Sequence, residues 1–421
     1  MKIFKKLKWL YPGIRIKRWI FLGALGIIAV IFGAARFKGE DFIPLKIIYA
    51  LVIILGITGI IAGMRSMVQS FLSIFLPYFG EDLVDIVYKK RYLERGPRIV
   101  AIGGGHGLAT SLMGLKEYTT NITAIVTVAD SGGSTGRLRE EFDVLAPGDI
   151  RNCIVALADA PSLMGELFQF RFDKDSQLQG HNFGNLFITA MTQLTGDFKK
   201  AVEESSKVLA IRGKVIPSTL NRVHLVAEYK DGTKVEGEAE IPGREVPIER
   251  VYLTPTASES QKTIQPTLEA VEVIKNAQII VIGPGSLYTS ILPNLVIKEI
   301  SEAVAASSAL KVYVCNVMTQ HGETDNYRAS DHLKSLLKHT NAKLVDYCVV
   351  NTKVPNEELL SKYRQEKAYT TIPDSLDIKR MGYNVIEGNI IHTTDFVRHD
   401  PKKLARIIMN AFRREALRRE I

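Results

Sequence analysis

The chain has 421 residues, of which 46% are hydrophobic and 24% charged, and its formal net charge is +9. This composition excludes a disordered, collagen-like or disulfide-scaffold protein, and the length predicts two or three domains. Residues 1–95 contain 15 Lys and Arg and 6 Asp and Glu, so they account for the whole net charge and residues 96–421 are neutral overall. A soluble nucleic-acid-binding protein is therefore not expected.

Two apolar runs in the first quarter of the chain are long enough to cross a membrane. Residues 19–35 and 47–64 contain no charged side chain, and each spans roughly 26 Å as a helix, close to the hydrocarbon thickness of a bilayer. Seven Lys and Arg and no acidic residue precede the first run. The positive-inside rule therefore places the N-terminus, and everything after the second run, in the cytoplasm. A cleaved signal peptide and a buried helical hairpin are the alternatives.

These runs predict the organisation of the chain. Residues 1–65 form a two-span anchor in the cell membrane, and residues 66–95 connect it to a large cytoplasmic domain, residues 96–421. In the connector, the apolar residues 83, 86 and 87 suit an amphipathic helix at the membrane surface, and an ordinary core helix equally well.

Short β-branched runs alternate with helical patterns in residues 96–421. The strand-like runs are 98–103, 122–129, 278–283, 311–317 and 344–351, and helical patterns cover 267–277, 295–308 and 331–339. This alternation predicts an α/β fold with a doubly wound parallel sheet covered by helices on both faces. A helical stretch, 149–211, and a β-hairpin, 223–241, are expected as insertions, and Pro401 is expected to begin the last helix.

The turn after the first predicted strand is almost entirely glycine: Gly103, Gly104, Gly105, His106 and Gly107. Glycines let the backbone approach a phosphate, and the N-terminus of the next helix, expected near Leu108, offers free N–H groups. The spacing is GxGxG, which is neither the GxGxxG of dinucleotide-binding folds nor a P-loop. We predict a phosphate-binding turn, with a strand-to-helix turn that binds nothing as the alternative.

Acidic, hydroxyl and basic side chains crowd the loop after the second strand and the helix start that follows. The candidate ligand-binding residues there are Asp130, Ser131, Gly133, Ser134, Thr135, Arg137, Asp149, Arg151 and Asn152. Hydroxyls, loop N–H groups and Arg suit a phosphate or diphosphate. Asp130 and Asp149 are the candidate ligands of Mg²⁺, the one metal or cofactor considered. A solvated loop and a helix cap at Asp149 are the alternatives.

Further candidates follow later strands, because ligands of open α/β sheets bind beyond the carboxyl ends of the strands. They are Gly283, Gly285, Ser286 and Tyr288 after one strand, Asn316 and Thr319 after the next, and Arg398 before the last helix. His181, Asn182 and Asn185 begin a helix, where the amides suit a base or ribose edge and also an N-cap. This inventory predicts a phosphorylated, nucleotide-like ligand and does not name a reaction.

Nine sequence blocks carry a resemblance to a known family. They are RIVAIGGGHGL (98–108), ITAIVTVADSGGSTGRLR (122–139), PGDIRNCIVALAD (147–159), LFQFRF (167–172), GHNFGNL (180–186), RGKVIPST (212–219), GPGSLYTSILPNL (283–295), VCNVMTQHGETD (314–325) and VRHDP (397–401). In this order they resemble the bacterial gluconeogenesis-factor (YvcK-like) family, which shares its fold superfamily with 2-phospho-L-lactate transferase. The resemblance implies a Rossmann-like cytosolic domain that binds UDP-sugars, especially UDP-N-acetylglucosamine. It also implies a role in growth on gluconeogenic carbon sources, in cell shape and in peptidoglycan control.

The resemblance places the nucleotide and the diphosphate at 103–107, 130–137, 181–185, 283–288 and Arg398. Two departures concern the first turn, where the family often has Thr in place of this chain's His, and the N-terminal anchor, which the usual family member lacks. Two hypotheses follow. The first is a membrane-tethered UDP-sugar-binding regulator, with a second copy of the chain and regulators of cell-wall synthesis as partners. The alternative is a Mg²⁺-dependent transferase that uses a nucleotide-diphosphate-activated donor.

Overall fold

The computed structural model describes residues 16–39, 41–75, 91–159, 162–173, 176–259, 261, 263–340, 343–393 and 396–419. The chain divides into two units, residues 1–87 and 88–421. The amphipathic helix predicted for the connector lies outside the described residues.

Two long apolar helices, α1 (Ile16–Gly39) and α2 (Ile43–Phe75), form the described part of the first unit. They pack together through glycine: a Cβ added at Gly26 would lie 2.6 Å from the carbonyl oxygen of Gly56. Small residues at such a contact are typical of paired helices in membranes. Large apolar side chains cover the outer faces, for example Leu55, which is 69% exposed. By length and composition both helices are candidate membrane spans.

The second unit is built on a seven-stranded parallel sheet. The strands of the chain are β1 (Ile99–Gly103), β2 (Ile122–Val126), β3 (Lys214–Pro217), β4 (Val223–Tyr229), β5 (Lys234–Glu236), β6 (Ile248–Pro255), β7 (Ile279–Ile282), β8 (Leu310–Val314), β9 (Tyr347–Asn351), β10 (Asn384–Gly388), β11 (Ile391–Thr393) and β12 (Val397–His399). The sheet order is β10-β9-β8-β7-β1-β2-β3, and every pairing in it is parallel. This confirms the predicted Rossmann-like α/β fold.

Helices cover this sheet, and the last helix begins at Pro401 as predicted. The helices of the second unit are α3 (Gly105–Leu115), α4 (Gly133–Phe142), α5 (Gly148–Leu157), α6 (Ser162–Gln169), α7 (Phe183–Thr195), α8 (Phe198–Val208), α9 (Leu268–Lys275), α10 (Leu292–Leu295), α11 (Lys298–Ala306), α12 (Ala329–Thr340), α13 (Glu357–Gln365), α14 (Ser375–Arg380) and α15 (Pro401–Arg419). The predicted start of α3 near Leu108 was wrong. The Leu108 N–H already donates to the carbonyl of Gly104 (3.4 Å), so the glycine turn is itself the first turn of the helix.

The predicted hairpin at 223–241 forms, but its second strand is shorter than expected. The turn closes where the Gly232 N–H donates to the carbonyl of Tyr229 (2.9 Å). The second strand, β5, stops because Gly237 adopts a positive φ of 103° and a 3₁₀ turn, Glu238–Glu240, follows. There the Ala239 N–H donates to the hydroxyl of Ser131 (3.1 Å) instead of continuing the ladder. The unpredicted strand β6 completes a small sheet of order β5-β4-β6.

The strand order reverses between β1 and β7. From β1 the chain proceeds to β2 and β3 on one side, then returns to pair β7 with the other side of β1 and continues outward to β10. In doubly wound sheets, ligands bind beyond the carboxyl ends of the strands at such a reversal. The fold therefore points to the loops that follow β1 and β7.

Close packing of α15 on α3 can be tested with a single methyl group. A Cβ added at Gly114 would overlap the carbonyl oxygen of Pro401, whereas one added at Gly165 on α6 would meet no atom within 4 Å. We expect Gly114→Ala to lower the free energy of unfolding by about 1–3 kcal/mol, because backbone must move. Gly165→Ala should leave it unchanged or raise it by about 0.5–1 kcal/mol. Denaturant unfolding of both variants measures this, and equal stabilities would contradict the packing.

Candidate ligand-binding site

A cleft of about 220 Å³ lies where the strand order reverses. The loops after β1 and β7 meet there so closely that a Cβ added at Gly107 would lie 2.5 Å from the carbonyl oxygen of Pro284. Polar side chains from both loops and from later segments line the cleft: His106, Thr110, Ser286, Asn316, Gln320, Tyr363, Arg398 and His399. The structure thus brings together residues from four predicted regions: the turn after β1, the loop after β7, the loop after β8 and Arg398.

The glycine turn is held from two sides. The side-chain amide of Asn294 donates to the carbonyl of Gly103 (3.1 Å), and the carboxylate of Asp149 lies so close to Gly104 that a side chain there would overlap it. Gly105 has a positive φ of 63°, a conformation that favours glycine. The N-terminus of α3, with its positive dipole end, therefore lies at the edge of the cleft, where the Gly105 N–H donates to the Asp149 carboxylate.

Three basic side chains surround this helix N-terminus. Burial, and then the positive charges of Arg398 and Arg151, lower the pKa of His106. His106 is therefore neutral at pH 7 and available for hydrogen bonding, while the two arginines provide the charge. The guanidinium of Arg398 lies 5.0 Å from the ring centre of Phe396, which holds it at the cleft.

Arg151 has unused hydrogen-bonding capacity although it is buried. Arg151 is 8% exposed, and one terminal nitrogen of its guanidinium donates to Asn152 Oδ1 (2.7 Å). Its Nε and its other terminal nitrogen have no partner among the described residues. Burial, followed by the charge of Arg171, lowers its pKa to about 10, so it remains a cation at neutral pH. A buried guanidinium with unpaired N–H groups is stabilised by an anion, which makes Arg151 a candidate phosphate ligand.

The predicted loop 130–137 and the predicted helix start at His181 also meet. The hydroxyl of Ser134 accepts from the Asn182 N–H (3.2 Å) and from the Asn185 side-chain amide (3.3 Å), and it lies 3.3 Å from His181 Nδ1. The Asn185 amide also reaches Thr135 Oγ1 (3.4 Å), and Asn182 Oδ1 caps α7 by accepting from the Asn185 N–H (3.2 Å). All five residues are buried. The structure thus unites them in one polar cluster and gives Asn182 the capping role as well.

Four acidic side chains from separate segments form an electrostatically linked group. Burial and the charge of Asp130 raise the pKa of Asp149 to about 7. Burial, and then the charges of Asp130, Asp149 and Glu323, raise the pKa of Glu238 to about 8. Burial raises the pKa of Glu323 to about 7, although its carboxylate accepts a hydrogen bond from Ser286. Asp149, Glu238 and Glu323 therefore retain protons near neutral pH.

The Mg²⁺ prediction rests on two of these carboxylates. A Cβ added at Gly148, the residue before Asp149, would lie 2.6 Å from Asp130 Oδ2, while the Asp149 carboxylate itself lies against Gly104. Across the described ranges, no group of three or more His, Cys, Asp or Glu side chains is arranged to hold a metal ion. Mg²⁺ commonly takes one or two carboxylates together with phosphate oxygens and water. Asp130 and Asp149 therefore fit a cation that arrives with a diphosphate, and the site stays a prediction.

Some predicted residues have other partners. The hydroxyl of Tyr288 is buried 2.7 Å from that of Tyr327, in the core behind the cleft. Thr319 Oγ1 accepts from the Tyr369 N–H (2.9 Å) and holds two chain segments together. Arg137 donates to the carbonyl of Gln179 (2.8 Å) from an exposed position. Ser131 and Gly133 lie on the more exposed side of the same loop.

Three side chains at the site escaped the sequence interpretation. Glu323 lies in the conspicuous block VCNVMTQHGETD but was not singled out. Glu238 follows the hairpin, and Tyr363 lies within a helix, so no turn or glycine pattern marks either of them. Tyr363 lines the cleft and its hydroxyl accepts from the Val397 N–H (3.0 Å), which positions the strand that carries Arg398.

The acidic group predicts an unusual pH dependence of stability. A carboxyl whose pKa is raised by folding binds its proton more tightly in the folded state. The free energy of unfolding of the protein therefore falls as the pH rises from about 4 towards the folded pKa of that carboxyl. We expect Asp149→Asn, which removes that ionisation, to gain stability relative to the parent protein between pH 5 and pH 8, on the order of 2 kcal/mol. Buried His332 and half-buried His399, whose pKa values are lowered to about 4, have the opposite dependence but occur in both proteins.

Denaturant unfolding of the two proteins across this pH range measures the difference. Glu366→Gln, at an exposed position, is the control and should keep a constant difference from the parent. A relative stability of Asp149→Asn that falls with rising pH would contradict the burial argument.

Comparisons with known proteins find relatives of the α/β unit. The model of the family described as 2-phospho-L-lactate transferase CofD matches residues 99–391. The gluconeogenesis factor of Bacillus subtilis is 48% identical over 315 residues, which cover 75% of this chain and 98% of that protein. A solved structure from Bacillus halodurans, described as a member of the UPF0052 family, is 45% identical with a TM-score of 0.71, covering 74% of this chain and 99% of that one.

Another relative also matches the N-terminal helices. A putative gluconeogenesis factor of Clostridium acetobutylicum is 43% identical over 421 residues, covering 96% of this chain and 91% of that protein. The N-terminal extension is therefore shared with this relative, whereas the Bacillus proteins consist almost wholly of the α/β unit, which folds without it. The chain belongs to the gluconeogenesis-factor family, within the wider family of 2-phospho-L-lactate transferase CofD.

Proposed function

We propose that this protein is a regulator that binds a UDP-sugar, UDP-N-acetylglucosamine in the first place, in the cleft between the loops after β1 and β7. The observation that carries the proposal is the buried guanidinium of Arg151, which has two nitrogens without a partner among the described residues and whose charge acts on His106 in the first turn of α3. Together with Arg398 and His106 it offers charge, N–H groups and hydrogen bonds to a diphosphate. Relatives named gluconeogenesis factor support a role in growth on gluconeogenic carbon sources.

Each part of the ligand has a suitable set of side chains. The diphosphate would lie over the glycine turn, between Arg151 and Arg398. Tyr363 and Asn316, which line the cleft, suit the uracil and ribose through stacking and hydrogen bonds. The cluster around Ser134, reached from the Arg151 side, suits the hydroxyls of the sugar.

The N-terminal helices supply the proposed location. We take α1 and α2 as two membrane spans, with the N-terminus and the α/β unit in the cytoplasm, because the positive charges that precede α1 favour that orientation. A UDP-sugar sensor held at the membrane would lie near the site of wall synthesis. We therefore propose a role in growth on gluconeogenic carbon sources, in cell shape and in peptidoglycan control, with a second copy of the chain and regulators of wall synthesis as partners.

Arg398→Ala should weaken binding of UDP-N-acetylglucosamine by about 10- to 100-fold, because a charge-assisted hydrogen bond to the diphosphate is lost. Titration calorimetry with and without Mg²⁺ measures the affinity. Arg406→Ala removes an exposed arginine of α15 outside the cleft and should bind within twofold of the parent. No heat from the parent protein with any UDP-sugar would refute the proposal.

A transferase is the second candidate, favoured by the acidic group around Asp130 beside a cationic cleft. Carboxyls that hold protons near neutral pH can serve as general acids or bases, and with Mg²⁺ they could assist transfer from an activated diphosphate. Chromatography of the nucleotide recovered from the calorimetry sample decides between the two functions. Intact UDP-sugar after long incubation supports the regulator, and released UMP or UDP supports the transferase.

A further inference from the structure

The edge of the sheet opposite the cleft, where the strands begin, carries a concentration of exposed cations. The segment that leads into β1 is fixed there, since the carbonyl of Leu93 accepts from the Thr120 N–H (3.1 Å) just before β2. Arg98 Nε donates to the carbonyl of Asn276 (2.6 Å) before β7. We name this surface the amino-end face, and its exposed basic residues are Arg91, Arg95, Arg98, Lys275, Arg413, Arg414 and Arg418.

The last turns of α15 complete the amino-end face. A groove of about 360 Å³ runs between Arg98 and Lys275 on one side and Phe412 and Ala416 of α15 on the other. The guanidinium of Arg418 lies 3.5 Å from the hydroxyl of Tyr347 at the start of β9. The end of the chain and the start of the unit are therefore neighbours on one surface.

This face is basic although the unit as a whole is not. Residues 91–98 contain three Arg against one Glu, and residues 413–418 contain three Arg against one Glu, whereas residues 96–421 are neutral overall. Arginines at the C-terminus of α15 also suit its dipole. That role does not extend to Arg91, Arg95 and Arg98, which precede a strand.

A large aliphatic side chain, Leu417, projects among these cations and is 62% exposed. Arginines and lysines interspersed with isolated aromatic and aliphatic side chains are typical of protein surfaces that bind anionic lipid, where the charges meet headgroups and the apolar groups enter the interface. A protein partner of ordinary interface composition would bury a larger apolar patch at its centre.

The number of cations on this face allows weak individual attractions to add up. A basic residue near an anionic bilayer contributes about 1 kcal/mol, and the amino-end face has seven exposed cations among the described residues. In the full-length chain this contact would add to the proposed insertion of α1 and α2, on which its location at a membrane rests.

We propose that the amino-end face binds the surface of an anionic bilayer. Because strands begin at this face and end at the cleft, such docking turns the ligand cleft away from the lipid and leaves it open to soluble UDP-sugar. The protein would then contact the membrane twice, through α1 and α2 and through the amino-end face. Only binding by the amino-end face would depend on salt concentration and on lipid charge.

The test uses residues 88–421, the unit that relatives form alone, with no span present. We expect it to sediment with phosphatidylcholine vesicles containing about one-third phosphatidylserine at least tenfold more than with pure phosphatidylcholine, and to be released by about 0.5 M salt. Arg413→Glu, Arg414→Glu and Arg418→Glu combined should lower binding to the anionic vesicles at least tenfold. The corresponding Gln triple variant should give a smaller decrease in the same direction.

The matched control changes the same net charge elsewhere. Lys353→Glu, Lys362→Glu and Lys402→Glu lie at exposed positions beyond strand ends, and together they should bind vesicles within twofold of the parent. Circular dichroism and UDP-N-acetylglucosamine binding confirm that each variant folds, and normal ligand binding with lost vesicle binding separates this proposal from the proposed function. Equal binding of parent and Arg triple variants, no preference for anionic vesicles, or binding of an RNA oligonucleotide without vesicle binding would overturn it.

Discussion

The candidate site depends on a contact between two backbone loops that leaves no room for side chains. Gly107 follows β1 and Pro284 follows β7, about 180 residues later in the chain, yet a Cβ on the first would lie 2.5 Å from the carbonyl of the second. Parallel pairing of β1 with β7 creates this contact, since it places both carboxyl ends side by side. Once the loops meet, one cleft is bordered by the N-terminus of α3, by His106 and by the strand that carries Arg398. The strand order of the sheet therefore decides which side chains can contact a ligand.

The charges around this cleft are arranged so that an anion is not repelled. Asp149, Glu238 and Glu323 lie in the same region as Arg151, and carboxylates that were all ionised would cancel its attraction for a diphosphate. Burial instead raises the pKa values of the three acids to between about 7 and about 8, with neighbouring carboxylates contributing at Asp149 and Glu238. The arginines keep their charge, so the region stays attractive to phosphate at neutral pH, and the acids can release protons if a cation enters with the ligand.

Sequence patterns predicted the features of this site that are determined by residues close together in the sequence. Buried strands, glycine turns and the Pro401 helix start have local signatures, and they predicted the parallel sheet and the start of the last helix. That the turn at 103–107 meets Arg398 was implied by the family resemblance. The patterns failed where distant contacts decide the outcome. Glu238 reaches the site only because the hairpin breaks at Gly237 and its next turn hydrogen-bonds to Ser131. Tyr288 resembled a ligand residue because it follows a strand, but its hydroxyl turns into the core towards Tyr327.

The resulting picture is of a domain with two functional edges, a ligand cleft where strands end and a basic surface where they begin. Its central claim is that a UDP-sugar bridges the loops after β1 and β7. Hydrogen exchange with and without UDP-N-acetylglucosamine tests this most directly. The account predicts that amides in both 103–107 and 283–286 exchange more slowly with ligand bound, while those of the β4-β5 turn are unchanged. Protection that is absent from both loops, or confined to the sheet edge near Val215, would contradict it.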